Sequence, residues 1–118
     1  LHKAIRRQRQ MCIRDSHCRM QDCNARYLNF SMSKINQAEF TTCDLRNSDF
    51  NDCKLTSIAF TNCELVEAEF SHTPLRGIDL SDSHIEGIHV NLPDIRGAIV
   101  STHQAMDLTS LLGLVIKD

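Results

Sequence analysis

The sequence predicts an all-β solenoid of square coils with a C-terminal α-helical cap. Three observations predict it: an apolar residue recurs every five positions, an uncharged and mostly small residue precedes it by two, and the five-residue register stops at Val100 before a helix-like segment. A period of five fits neither an α-helix nor a flat strand, whose side chains repeat about every 3.6 and 2 residues. The chain must therefore turn once per five residues, and four such runs close a square.

The central position of the repeat is apolar without exception from residue 20 to residue 100. It is occupied by Met20, Ala25, Phe30, Ile35, Phe40, Leu45, Phe50, Leu55, Phe60, Leu65, Phe70, Leu75, Leu80, Ile85, Val90, Ile95 and Val100. Since 42% of the chain is hydrophobic, chance would give such a run about once in a million. We expect these side chains to converge on a shared interior.

Five of the six cysteines occupy the small position two residues before the central one. They are Cys18, Cys23, Cys43, Cys53 and Cys63. No C-x-x-C spacing occurs, so we expect core packing, in which cysteine acts as a small hydrophobe, and neither a metal site nor a disulfide framework. Cys43 and Cys63 would stack on one face, where a cytosolic chain would keep them reduced.

Four segments match the motif A-(D/N)-L-X-X closely: CDLRN (43–47), SDFND (48–52), CELVE (63–67) and AEFSH (68–72). From about residue 18 to residue 100 the chain resembles the pentapeptide-repeat family. The resemblance implies a right-handed quadrilateral β-helix with 20 residues per coil, hence about four coils. Residues 20 apart should then stack, with Phe30, Phe50 and Phe70 in one internal ladder and Phe40 and Phe60 in the opposite one.

The chain divides into three parts. Residues 1–16 carry five of the 13 Lys and Arg residues and lie outside the repeat phase, and RRQRQMCIRDS (6–16) resembles translated sequencing-adapter DNA. We expect a non-native or disordered basic head there, which leaves a C-terminal fragment without its native N-terminal coils. A basic native tail and a nucleic-acid-binding arm are the alternatives. Residues 17–100 form the β-helix, and residues 101–118 the capping helix and tail.

The C-terminal segment has the signals of a helix from Thr102 to Leu112. Ser101 and Gln104 fit a capping box, and Gly113 stands where a left-handed helix stop is needed. The helix should cover the open end of the core. The apolar residues exceed what one coil end needs, which predicts a symmetric homodimer contact. The candidate contact residues are Leu108, Leu111, Leu112, Leu114 and Ile116.

Composition argues against several functional classes. No apolar run is long enough for a membrane span and no secretory signal precedes the repeats, so we expect a soluble cytoplasmic protein. The histidines scatter over outward or linking positions, where solvated side chains are expected: His72, His84, His89 and His103. No nucleophile lies near a recognisable base, so we expect neither catalysis nor a cofactor. Three glycines spaced ten residues apart should relax turns: Gly77, Gly87 and Gly97.

The outward carboxylates are the sequence feature that suggests a function. The outward position before the central residue is acidic at Asp44, Asp49, Glu64, Glu69, Asp79 and Asp94. A 20-residue coil stacks Asp44 on Glu64 and Asp49 on Glu69, although like charges that close repel by roughly 1 kcal/mol even in water. One interpretation is that acid is common at this motif position and aids solubility. The other is that the acidic ladders imitate duplex DNA and compete for a DNA-binding groove.

The final segment, DIRGAIVSTHQAMDLTSLLGLVIKD (94–118), resembles the end of the Qnr-type quinolone-resistance proteins. The resemblance implies a dimeric rod that mimics DNA, binds gyrase or topoisomerase IV, protects these type II topoisomerases from quinolones, and contacts neither nucleic acid nor membrane directly. Four coils span only about 20 Å, and no long loop interrupts the register. A truncated copy could therefore dimerise without protecting. The alternative is a generic scaffold for an unknown protein partner.

Overall fold

A computed structural model describes residues 18–117, so the predictions for residues 1–16 lie outside the described residues. The strands are β1 (Cys18–Gln21), β2 (Lys34–Thr41), β3 (Lys54–Thr61), β4 (Glu69–Phe70) and β5 (His89–Val90). Helix α1 (Leu92–Ile95), helix α2 (Thr102–Leu108) and a 3-10 helix (Thr109–Leu112) follow. Strands β1, β2 and β3 form one parallel sheet, and β4 and β5 form another.

Every strand pair has an offset of one 20-residue coil. Cys18 pairs with Ala38, and Glu69 pairs with His89. Isolated bridges keep the same offset where no strand forms, as between Asp44 and Glu64. The chain therefore climbs one layer per coil, which confirms the predicted solenoid of about four coils.

A left-handed backbone residue stands at nearly every corner of the square, two positions after the central apolar residue. Among the described residues, φ is 52–62° at eleven non-glycine positions from Asp22 to His72. Gly77, Gly87 and Gly97 take over the same position with φ of 73–85°. Glycine adopts this region without steric cost, which confirms that the three glycines relax turns.

Stacked phenylalanine rings fill the centre of the solenoid. The ring centroids are 4.7 Å apart between Phe30 and Phe50 and 5.0 Å apart between Phe50 and Phe70. Phe40 stacks on Phe60 at 5.2 Å, and rings of the two ladders meet edge to face at 6.0–6.3 Å. All five rings are buried. Both geometries are favourable for aromatic pairs, and the two predicted ladders are confirmed.

The small inward side chains form a second kind of ladder, which the sequence alone did not predict. Five of them donate a hydrogen bond to the backbone oxygen of a central residue in the coil before, 23 positions earlier. The pairs are Cys43 to Met20, Cys53 to Phe30, Cys63 to Phe40, Thr73 to Phe50 and Ser83 to Phe60. The thiols of Cys43, Cys53 and Cys63 are buried and form no disulfide, in agreement with the packing role predicted for them. Cys18 is disulfide-bonded, so the prediction of a free packing thiol is wrong at that position.

The five-residue pattern breaks down in the last coil. The sequence placed Pro93 at an inward small position, and this was wrong: Pro93 is exposed and lies in the first turn of α1. Proline suits that place because its fixed φ matches a helix and its missing N–H would be unbonded there in any case. Ile95 and Val100 consequently remain only half-buried.

The helical cap starts as the sequence predicted and changes type before its end. Ser101 Oγ accepts a hydrogen bond from Gln104 N, and Gln104 Oε1 accepts one from Ser101 N. The helix becomes 3-10 after Leu108 and stops at Gly113, whose φ is 69°. Gln104 Nε2 also donates to the backbone oxygens of Leu80 (2.7 Å) and Ser83 (2.6 Å), which fixes α2 to the coil beneath it.

Leu108 packs against the core cluster, so the end of the solenoid is covered. Within residues 18–117, no helix has both the length and the apolar character needed to cross a membrane.

Candidate functional site

The four runs of each coil define four faces, and their charges differ. Face 1 is 23–27, 43–47, 63–67 and 83–87, and face 2 is 28–32, 48–52, 68–72 and 88–92. Face 3 is 33–37, 53–57, 73–77 and 93–97, and face 4 is 18–22, 38–42, 58–62, 78–82 and 98–102. Acids outnumber Lys and Arg on faces 1, 2 and 4, whereas bases outnumber acids on face 3.

Face 1 carries an acidic column partly neutralised by cations. Asn24, Asp44, Glu64 and His84 stack in successive coils. Arg46 donates to both carboxylate oxygens of Asp44, at 2.8 and 2.7 Å, and these hydrogen bonds lower the pKa of Asp44. His84 Nδ1 lies 2.7 Å from Glu64 Oε2, and this hydrogen bond raises the pKa of His84. Like-charge repulsion within the column is therefore offset by its neighbours.

Face 2 carries an acidic column without Lys or Arg. Asn29, Asp49, Glu69 and His89 stack in successive coils. Asp49 Oδ1 accepts the backbone N–H of Asn51 at 2.9 Å, and Asn51 Nδ2 donates to Glu69 Oε1 at 3.2 Å. Neutral donors hold both carboxylates in place, and neither forms a salt bridge with another described residue. Face 2 therefore presents three acids and no Lys or Arg, with His72 Nδ1 3.8 Å from Asp52 Oδ1.

The two remaining predicted acids lie apart from these columns. Asp79 belongs to face 4, where it pairs with Ile99 of the next coil and accepts hydrogen bonds from Ser81, which lower its pKa. Asp94 belongs to face 3 and lies in α1, where its backbone oxygen accepts the N–H of Leu75. Four of the six acids thus form one surface across faces 1 and 2.

An open depression of about 480 Å³ runs along face 1, between the column and the adjoining corner. Asp44, Glu64 and His84 are among the residues that line it, together with Cys43 and Cys63. Cys43 and Cys63 are both buried, and their thiols donate hydrogen bonds to the backbone oxygens of Met20 and Phe40 inside the solenoid, so both act as packing groups.

The groups that hold the acidic columns together were not predicted from the sequence. His84 and His89 are exposed and lie on different faces, as expected, but each contacts a carboxylate, His84 that of Glu64 and His89 that of Glu67. The 20-residue offset from Glu64 to His84 was the available signal. Arg46, two positions after Asp44 in the same turn, was a second signal.

The five predicted dimer-contact residues fall into two groups. Leu108 and Leu111 are half-buried, whereas Leu112, Leu114 and Ile116 are 54–58% exposed. An open apolar groove of about 220 Å³ lies between α1 and the 3-10 helix, with Leu111 and Leu112 among its lining residues. The apolar surface at this end of the molecule is therefore larger than the cap itself uses.

Square coils of 20 residues, a phenylalanine core and outward carboxylates define the class of protein as a repeat solenoid with four outer faces. Residues 13–70 match the family model described as "Pentapeptide repeat region". Over this range the chain belongs to the pentapeptide-repeat proteins, as its motifs predicted.

Two trypsin-treated variants of QnrB1, a plasmid-mediated fluoroquinolone resistance protein, are among the solved structures similar to this chain. The first is 16% identical with a TM-score of 0.46 and covers 80% of this chain and 66% of its own. The second is 23% identical with a TM-score of 0.38 and covers 86% of this chain and 48% of its own. This chain therefore spans less than two thirds of either solved chain. No curated protein matches it.

Proposed function

We propose that this chain is a non-enzymatic DNA mimic that binds a type II topoisomerase, DNA gyrase or topoisomerase IV, in the cytoplasm and protects it from quinolones. The observation that supports this proposal is the pair of adjoining acidic columns, Asp44 with Glu64 and Asp49 with Glu69. Successive carboxylates in a column are one coil apart, about 4.8 Å. The backbone ladder fixes this spacing before any partner arrives.

Rigid, regularly spaced negative charge is what a DNA-binding groove recognises without reading bases. Duplex DNA presents about one negative charge per 1.7 Å of axis, and basic grooves gain affinity by neutralising it. A solenoid that presents carboxylates on two adjoining faces competes for such a groove through charge complementarity, which also speeds encounter. Once docked, the rod occupies the path of the DNA and destabilises the drug-trapped cleavage complex.

We further propose a homodimer through the C-terminal apolar end, with Leu112, Leu114 and Ile116 as contacts and Leu108 and Leu111 beneath them. A two-fold contact places the same apolar patch of both copies together. Since four coils span only about 20 Å, a dimer would double the length of acidic surface offered to the enzyme.

Gyrase supercoiling in the presence of a quinolone tests protection, with added wild-type protein or variants at several salt concentrations. We expect wild type to restore supercoiling, and D49N/E69Q to need at least about tenfold more protein, since charge-assisted contacts are worth about 1.5–3 kcal/mol each. The matched control is D22N/E39Q, which removes two negative charges from face 4. Equal activity of the two double variants, or no rescue by wild type, would overturn the proposal.

The second candidate is a scaffold for an unidentified protein partner. The observation that favours it is the net positive charge of face 3, which a DNA mimic does not need. On this alternative, D49N/E69Q and wild type would be equally inactive toward gyrase.

A further inference from the structure

Face 3 is the one face on which bases outnumber acids. It carries Lys34, Lys54, Arg76 and Arg96 against a single acid, Asp94. All four basic residues are exposed. None of the four forms a salt bridge with another residue in the described part of the chain, in contrast to Arg19 and Arg46 elsewhere on the rod.

The four cations lie one in each coil and form two stacked pairs, which together we call the basic row: Lys34 with Lys54 just before the central apolar residue, and Arg76 with Arg96 just after it. Lys34 and Lys54 are register partners in strands β2 and β3. Arg76 and Arg96 belong to the next two coils, and the side chain of Arg76 lies over Gly97, where an added Cβ would come within 2.8 Å of Arg76 Cγ. The step within each pair is therefore the coil rise, about 4.8 Å, and between Lys54 and Arg76 the row also moves two positions across the face.

Like charges at this spacing repel one another, and the described part of the chain does not compensate the row from within. The complementary surface lies on face 2. Asp49, Asp52 and Glu69 are its acids, and it has no Lys or Arg. Its column has the same step as the basic row because both steps equal the coil rise.

We propose that face 3 docks onto face 2 of a second copy of this chain, so that solenoids associate side by side through matched rows of opposite charge. The spacing of the charges favours a second solenoid as the partner. Alternate side chains of an extended strand are about 6.7 Å apart, so they do not match the basic row. The charges of another solenoid are separated by the same coil rise as those of the row. The contact is heterologous, so each copy has one donor face and one acceptor face for neighbours. It is separate from the C-terminal dimer contact and goes beyond the proposed topoisomerase function.

Sedimentation velocity at about 20 and 300 mM NaCl, over a range of protein concentrations, tests the proposal without any enzyme. Charge pairing weakens as the Debye length shrinks, whereas an apolar contact does not. We expect wild-type self-association to weaken by at least about tenfold at the higher salt. K34E/K54E should lose the salt-dependent association, whereas R26E/K117E, a control with the same charge change on face 1 and the tail, should retain it.

A charge swap provides the complementary test. D49K/E69K alone should not associate through this contact, but mixing it with K34E/K54E should restore a salt-sensitive complex. Circular dichroism checks that each variant is folded, and if D49K/E69K is not, the comparison of K34E/K54E with R26E/K117E decides. Equal association of those two variants at both salt concentrations would overturn the proposal.

Discussion

At the scale of single residues, the small inward position matters through its hydrogen bond as well as its size. Thr73 Oγ1 donates to the backbone oxygen of Phe50 and accepts the N–H of Cys53 at 2.9 Å. Ser83 makes the equivalent pair of bonds. Ser48 Oγ occupies the same repeat position but is buried without a hydrogen-bond partner. A buried hydroxyl therefore stabilises the fold where it is hydrogen-bonded, as at Ser83, and destabilises it where it is not, as at Ser48.

Substitutions at these two serines should change stability in opposite directions. Ser48→Ala should raise the free energy of unfolding by up to about 1 kcal/mol because an unsatisfied polar atom is removed, and Ser83→Ala should lower it by about 1–2 kcal/mol. Urea denaturation followed by circular dichroism measures both. The interpretation fails if the two variants shift the unfolding midpoint in the same direction.

At the scale of elements, the sequence predicted what local chemistry determines. The spacing of Ser101 and Gln104 specifies the start of α2, and Gly113 specifies the stop after the 3-10 helix, because both signals act over a few residues. Helix α1 was not predicted because the five-residue spacing of the sequence continues through Pro93. In the structure, however, the Pro93 side chain does not point into the core. The second pair of bonds from Gln104, to residues more than 20 positions away, depends on how the cap docks.

The dual role of Gln104 gives a stability prediction for the cap. Gln104→Glu keeps the shape but removes the amide donors to Leu80 O and Ser83 O and places a carboxylate against them. A loss of about 2 kcal/mol or more in the free energy of unfolding is expected, from the buried and unsatisfied acceptors. The matched control is Gln37→Glu, since Gln37 is exposed and the chemical change is the same. Equal thermal midpoints of the two variants would contradict the docking role.

At the scale of the whole molecule, the charge pattern was only partly predictable. The sequence indicated which acids stack, because Asp44 and Glu64, like Asp49 and Glu69, are one coil apart. That Asp79 and Asp94 lie on other faces follows from the same period, yet assigning a function to each face requires side-chain partners. The pairing of Arg46 with Asp44 and of His84 with Glu64 depends on rotamers, which spacing does not specify.

The pairing of His84 with Glu64 makes stability depend on pH. Because Glu64 raises the pKa of His84, the folded value lies above the unfolded value of about 6.5. Protons are bound more tightly in the folded state, so this contribution is fully present below the unfolded pKa and is lost as pH rises through the folded pKa. NMR titration should show a lower His84 pKa in Glu64→Gln than in wild type. An unchanged pKa would contradict the contact.

The predicted homodimer also belongs to this scale. L114D/I116D should sediment as a monomer at high salt, because two charges would be placed in the apolar contact. Met32→Asp is the control, since Met32 is 83% exposed and lies outside the C-terminal segment. Multi-angle light scattering distinguishes the outcomes, and a monomeric wild type at all concentrations would rule out the dimer.

The square cross-section has a consequence for how such a chain can change in length. Gain or loss of twenty residues adds or removes one complete coil and leaves the surface columns above and below it in register. A five-residue indel would also keep each central side chain inward, but it would place phenylalanines over leucines and interrupt the ring ladders. It would also rotate everything downstream by a quarter turn, so that glutamates from one wall would continue above lysines of another. Only an indel of twenty residues therefore keeps both the surface columns and the phenylalanine ladders in register.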